Sequence, residues 1–248
     1  MQVNAQPMER RDSSLSGDML DVHSVFYTIQ GEGPFCGRPA VFVRLAGCNL
    51  QCPACDTEYT SGRRMVSAEM LVTEVCMQPW PQTARPIVVI TGGEPFRQNL
   101  YPLCYALVQE GFTVQIETNG TLPPPNLAFA ELCSTNPQDV NCVFVVCSPK
   151  TGKVNSYLAP LIGAYKYVVD ADSVHEYDGL PILALGHTAY PHVARPPIGF
   201  EGPVYIQPCD RQDEALNRRN REAVVILAMN ASDVFTVQLQ THKILNLA

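Results

Sequence analysis

Three cysteines, Cys48, Cys52 and Cys55, stand close together in the run GCNLQCPACDTEYT at residues 47–60. Their spacing is C-x3-C-x2-C, and Asp56 and Thr57 follow at once. A loop that short keeps all three sulfurs on one concave side, where together they can hold a small inorganic centre. A fourth cysteine is missing from the local pattern. Electron-transfer iron–sulfur proteins close their clusters with four thiolates, and structural zinc is likewise four-coordinate and closed. Three ligands leave one metal position open for a substrate or cofactor. The competing readings are a zinc loop, or cysteines that merely pack well.

The elements around this loop alternate. Residues 22–29 suit a strand and are followed by a glycine-rich turn, QGEGPFCG; residues 40–45 suit a second strand that ends just before the cysteines. Residues 66–76 read as a helix with Ser67 as N-cap. Residues 87–91 (IVVIT) form the continuous apolar run of a buried parallel strand, stopped by Gly92-Gly93-Glu94-Pro95. A returning helix at 99–109 precedes strands at 113–117, 143–147, 165–169 and 204–207, then an amphipathic helix at 214–229 and a strand at 234–239. Alternating strand and helix predicts a parallel sheet with helices outside it. Roughly six strands are too few for a closed eight-stranded barrel, and polar clusters recur at their C-terminal ends, where barrel enzymes place their chemistry. The expectation is an α/β fold, a partial (β/α) TIM-like barrel. Residues 1–20 are polar and aperiodic and are read as a tail without structure. Residues 21–248 form a single domain, with an irregular insertion at 171–202 where proline, glycine and histidine break any period.

Hydrophobic residues make up 46% of the 248, enough for a substantial core. A formal charge of −7 argues against a protein that grips nucleic-acid phosphates. No apolar run approaches the roughly 20 residues that cross a membrane. The first residues carry no apolar core with a cleavage site. The expectation is therefore a cytoplasmic protein whose ten cysteines sit in a reducing compartment, where metal ligation is favoured over disulfides.

The cysteine spacing resembles that of the radical S-adenosylmethionine enzymes, whose open iron chelates the amino and carboxylate groups of that cofactor. Further runs narrow the resemblance: TIQGEG at 28–33, VFVRLAGCN with Arg44, CDTEYT, ITGGEP, IETNGT, SPK and the C-terminal QTHKILNLA. Together, and in this order from about residue 22 to 248, they resemble the 7-carboxy-7-deazaguanine synthases. The resemblance implies a radical enzyme that converts 6-carboxy-5,6,7,8-tetrahydropterin to 7-carboxy-7-deazaguanine with loss of ammonia, on the way to queuosine and other 7-deazapurines. It implies a 4Fe–4S cluster, S-adenosylmethionine and Mg2+ as cofactors. It also implies an external one-electron reductant of flavodoxin or ferredoxin type, and a homodimer.

Residue roles follow from the same resemblance. Cys48, Cys52 and Cys55 match the cluster ligands, and Thr57 matches a threonine whose hydroxyl ligates Mg2+. One protein oxygen, with the rest from substrate and water, suits that ion; the bland alternative is a turn threonine. Ala54, Cys55, Asp56, Gly93, Ser148, Pro149 and Lys150 match cofactor contacts, with Glu94, Glu117 and Asn119 as further candidates. Ile29, Gln30, Gly31, Glu32, Arg44, Thr91, His242 and the terminal Ala248 match the substrate site. The Glu32 carboxylate suits the two-donor edge of a pterin, against a solvent-facing turn glutamate. Arg44 lies in an apolar strand, where arginine needs an anionic or carbonyl partner; a structural ion pair is its alternative. Apolar Ile244, Leu245 and Leu247 favour a docked tail over a frayed one. Two other readings compete with the whole: a glycyl-radical-enzyme activase, and a metal-stabilised binding module without catalysis.

Overall fold

The computed structural model describes residues 4–11, 16–81, 83–186, 192–231 and 234–247. Apolar β-branched runs build its centre. In β1 (Met19–Ile29), β2 (Pro39–Leu45), β3 (Arg64–Ser67), β4 (Ile87–Gly92), β5 (Val114–Thr118), β6 (Val143–Cys147), β7 (Ile162–Val169), β8 (Val204–Pro208) and β9 (Phe235–Val237), the middle strands are buried on both faces. That two-sided burial is why they read as unbroken apolar runs. They form one nine-stranded sheet in the order β3-β1-β2-β4-β5-β6-β7-β8-β9. From β2 through β9 every pairing is parallel, while β1 runs antiparallel to both β2 and β3. Strands β3 and β9 lie at the two edges, so the barrel is open, as expected.

Helices α1 (Ala68–Cys76), α2 (Tyr101–Gln109) and α3 (Glu214–Asn230) pack the outer face and share its main core with the sheet. A short α4 (Thr241–Ile244) follows β9. Crossovers β5–β6 and β6–β7 carry only the 3-10 turns Leu127–Leu132 and Ala159–Leu161. The other face curves inward. Strand periodicity puts alternate residues there, and Phe35, Ala40, Ile87, Val89, Phe144, Val146 and Ala164 plug its N-terminal end. Towards the C-terminal ends, inner positions turn polar at Arg44, Thr91, Glu117, Lys166 and Gln207. The plug and this polar rim create the site.

Two expectations need correction. Val66 is in β3, paired with Leu20, and the helix begins only after Ser67, whose Oγ accepts from Met70 N at 3.1 Å. A four-residue strand is too short to show a period of its own. The tail assigned to residues 1–20 does not describe 4–11, which lie along the cysteine loop, or Met19 and Leu20, which open β1. The segment 171–202 contains no helix among its described residues, yet Leu180 and Val193 enter the main core. No helix among the described residues is long and apolar enough to cross a membrane.

Candidate active site

A cavity of about 880 Å³ opens at the C-terminal ends of the strands. One wall is the cysteine loop. Cys48, Cys52, Leu50 and Tyr59 are buried together there, with Cys55 and Leu185 against them. Burial pushes the Cys48 thiol up to about 12 and the Cys52 thiol up to about 11, and raises Cys55 as well. Thiolates are therefore disfavoured here until a cationic centre compensates them, as a metal does when it deprotonates its thiol ligands. Among the described residues no three His, Cys, Asp or Glu side chains converge closely enough to hold one metal ion; the three thiols line a common wall instead. Thr57 is on the same wall, its Oγ1 3.4 Å from Asp56 Oδ1. Asp56 in turn takes an ion pair from Lys243 at 2.8 Å.

Gly93 fixes how the loop meets the sheet. A Cβ there would stand 2.1 Å from Gly47 O and 2.7 Å from Cys48 Cβ, so only glycine lets the end of β4 lie against the first cysteine. Glu94 does not face the cavity. Its buried carboxylate accepts from Phe96 N at 3.0 Å, Thr118 Oγ1 at 2.8 Å and Asn119 N at 2.7 Å, and thereby joins the ends of β4 and β5. Ser148 and Lys150 line the wall near the thiols, the Lys150 ammonium bonded to Ser148 Oγ at 2.5 Å. Burial holds Lys150 below the usual lysine range. Ala54, Cys55, Asp56 and Gly93 also line the cavity, while Pro149 does not.

The opposite wall is charged and interlocked. Lys166 Nζ meets Glu32 Oε2 at 2.5 Å and Glu117 Oε2 at 2.7 Å. Gln240 Nε2 donates to the other Glu32 oxygen at 2.7 Å, and Gln207 Nε2 lies 3.4 Å from Glu32 Oε2. Burial raises the Glu32 carboxyl, but the Lys166 ammonium and these hydrogen bonds outweigh it and hold it well below the usual range. Gln30 presents its Oε1 to Glu32 N at 3.1 Å. Ile29, Gln30, Glu32, Arg44, Thr91 and His242 all line the cavity. Arg44 is half-buried over the Phe26 ring, 5.4 Å from its centroid, and makes no ion pair among the described residues. Its Nε is buried with no hydrogen-bond partner. A structural ion pair therefore does not account for this arginine.

Gly31 is not on the lining. It seats the tail: Thr241 N donates to its carbonyl at 3.2 Å, and a Cβ would strike His242 Nδ1 at 2.3 Å. The tail docks as expected but through other residues. Ile244, Leu245 and Leu247 are exposed, and the polar groups of Gln238, Gln240, Thr241 and Lys243 hold it. Gln238 brackets Gly33, accepting from its N at 2.5 Å and donating to its O at 3.0 Å. Ala248 lies outside the described residues. The sequence offers Lys166 and Gln207 only as strand-end possibilities beyond the expected site, and Gln240 not at all. Lys166 and Gln207 had the same signal as Arg44, a long polar residue within an apolar strand.

Comparison with known proteins agrees with this arrangement. Residues 29–122 match the family model described as a 4Fe-4S single cluster domain. A 7-carboxy-7-deazaguanine synthase of Rickettsia prowazekii (strain Madrid E) is 39% identical over 244 residues, covering 95% of this chain and 92% of that protein. One from Rhodospirillum rubrum is 39% identical over 240 residues, covering 94% of each. The chain belongs to the 7-carboxy-7-deazaguanine synthase family. The crystal structure of QueE from Escherichia coli shares the fold, with a TM-score of 0.60 and 23% identity over 89% of this chain and 94% of that one. Membership makes the chain a radical S-adenosylmethionine enzyme with an iron–sulfur cluster, and it displaces the activase and binding-module readings. The three buried thiols, with Lys150 beside them, fit such a cluster.

Proposed function

We propose that the chain converts 6-carboxy-5,6,7,8-tetrahydropterin to 7-carboxy-7-deazaguanine with loss of ammonia, and so serves queuosine and 7-deazapurine biosynthesis. Cys48, Cys52 and Cys55 hold the cluster. Ala54, Asp56, Gly93, Ser148 and Lys150 surround the cofactor that occupies its open position. When bound, cluster and S-adenosylmethionine supply the one-electron chemistry that begins the ring contraction.

The chain's own part is placement. Arg44 offers an unpartnered guanidinium N–H for the substrate carboxylate. Thr57 offers a hydroxyl for Mg2+ shared with that carboxylate. Gln30 and Glu32 face the pterin's amino edge, with Lys166 keeping Glu32 anionic. His242 and the docked tail close the pocket over Gly31. Such closure keeps water and stray hydrogen donors from a reactive centre. A flavodoxin- or ferredoxin-type reductant, a homodimeric assembly and a cytoplasmic setting complete the proposal.

The observation that carries it is the meeting of three thiols, the unpartnered Arg44 and the Glu32–Lys166 pair in one cavity. The test is anaerobic turnover of the reconstituted, reduced protein with the carboxy-tetrahydropterin, with and without Mg2+. Formation of the deazaguanine, faster with Mg2+, is expected; none in either condition refutes the assignment.

A further inference from the structure

Between β2 and β3 the cysteine loop has no helix and no extended strand, so its backbone polar groups must find partners elsewhere. Residues 4–9 provide many of them. Asn4 N donates to Pro53 O at 2.9 Å and its Nδ2 to Cys52 O at 3.1 Å. Glu9 N donates to Cys48 O at 2.7 Å, beside a parallel bridge from Met8 to Cys48. Between them, Gln6 Nε2 donates to Thr57 O at 2.8 Å while its Oε1 accepts from Tyr59 N at 2.8 Å.

The segment is anchored at its far end. The Glu9 carboxylate receives Arg63 Nη1 at 2.7 Å and the buried Arg97 Nη2 at 2.9 Å, and Arg97 Nη1 donates to Arg10 O at 2.8 Å. Asn4 Oδ1 also fixes the Gln6 amide, accepting from its N at 3.0 Å and its Nε2 at 3.1 Å. The carboxamide is thereby oriented before it meets the loop. Only a group with both donor and acceptor spans Thr57 O and Tyr59 N, the two backbone positions on either side of Glu58.

We infer that residues 4–9 form a brace for the cluster loop and that Gln6 is a positioning residue for the Thr57 hydroxyl. The inference rests on the reading of Thr57 as the Mg2+ ligand. Asn4 and Glu9 hold the segments that carry Cys52 and Cys48; Gln6 holds the turn just after Cys55. Gln6 is on the cavity lining with Asn4, Ala5 and Pro7, and it acts on the metal side of the site by holding the backbone that follows Cys55.

Two variants of the full-length protein test this. Gln6→Ala removes both hydrogen bonds. Gln6→Glu keeps the acceptor for Tyr59 N but turns a carboxylate oxygen toward Thr57 O and Asn4 Oδ1. Both are expected to take up iron and cleave S-adenosylmethionine as the wild type does. Both are expected to need about tenfold more Mg2+ for half-maximal turnover, the effect of one lost hydrogen bond on positioning. Before reconstitution, amide exchange at Tyr59 is expected to quicken in Gln6→Ala and stay slow in Gln6→Glu. Unchanged Mg2+ dependence in both variants, beside a Mg2+-dependent wild type, overturns the inference alone. Loss of iron in both also overturns it, because the amide then serves the whole loop. A wild type that turns over but ignores Mg2+ overturns the reading of Thr57, and the inference with it. Absence of any wild-type product is the separate failure of the proposed reaction.

Discussion

The two walls of the cavity are built on opposite principles. The cysteine wall is irregular and held by residues 4–9 and by Leu185, whose carbonyl accepts from Ala54 N at 3.0 Å. Its thiols are pushed toward neutrality by burial. The facing wall combines inward positions on regular strands with the turn after β1 that carries Glu32, and there Lys166 pairs with both Glu32 and Glu117. One wall is completed by a cationic centre, while the other arrives with its Lys166 ammonium already paired to two carboxylates. The difference places adaptability where the inorganic group assembles and fixed geometry where the substrate must be aimed.

The strongest way to break this contrast is to remove a thiol. Cys52→Ala is expected to abolish the charge-transfer absorbance near roughly 400 nm that cluster thiolates give, and all turnover with it. Thermal unfolding of the unreconstituted protein should hardly change, since hydrogen bonds from residues 4–9 brace the loop. Full absorbance in the variant would refute the ligand assignment. On the other wall the same kind of deletion should act on stability. Lys166→Met leaves Glu32 and Glu117 buried without their shared cation, an uncompensated pair of charges that costs about 3–5 kcal/mol. Chemical denaturation reads this directly; a loss under about 1 kcal/mol would mean the wall is not interlocked. Arg44→Ala should fall between these cases. It makes no hydrogen bond or ion pair among the described residues, only its contact with the Phe26 ring, so stability should largely hold while kcat/KM drops about 10- to 100-fold, the worth of a charged hydrogen bond. Arg44→Lys should not restore a bidentate contact. Normal kcat/KM in Arg44→Ala would assign the carboxylate to another group.

The same contrast explains what the sequence disclosed. Cluster ligands are contiguous because one short loop carries them, so Cys48, Cys52 and Cys55 announce themselves by spacing. The strands carry unbroken apolar runs because they are buried on both faces, and the parallel sheet follows. Glu32 and Lys166 are 134 positions apart, and β1 and β7 are not neighbours in the sheet; the turn after β1 reaches across the inner face to bring them together. Gln6 and Asn4 were read as an aperiodic tail, since a segment bonded to an irregular loop has no period to display. The apolar end of the chain pointed to docking for the wrong reason. Its leucines are exposed, and glutamines that carry no hydrophobic signal do the holding.

The smallest effect concerns the tail that closes the charged wall. Burial depresses His242 below its ordinary 6.5, with Glu32 opposing the shift and Lys243 reinforcing it. Because the folded value lies below the unfolded one, the docked tail prefers neutral imidazole. Its stability is fully present above about pH 6.5 and declines as pH falls through the folded value. Burial also lowers the Lys243 ammonium, but Asp56 and Asp210 outweigh it and hold it above its ordinary range. With Glu32 depressed and Lys243 raised, neither changes charge in this window, and Lys166, also raised, stays cationic. Amide exchange in residues 238–245, corrected for intrinsic rate, is therefore expected to quicken from about pH 7.5 to about pH 5.5. Exchange at the cysteine loop should not follow it. His242→Gln should flatten the tail's response, because no proton is then taken up. A pH response that persists in that variant would trace the tail's closure to a group other than His242.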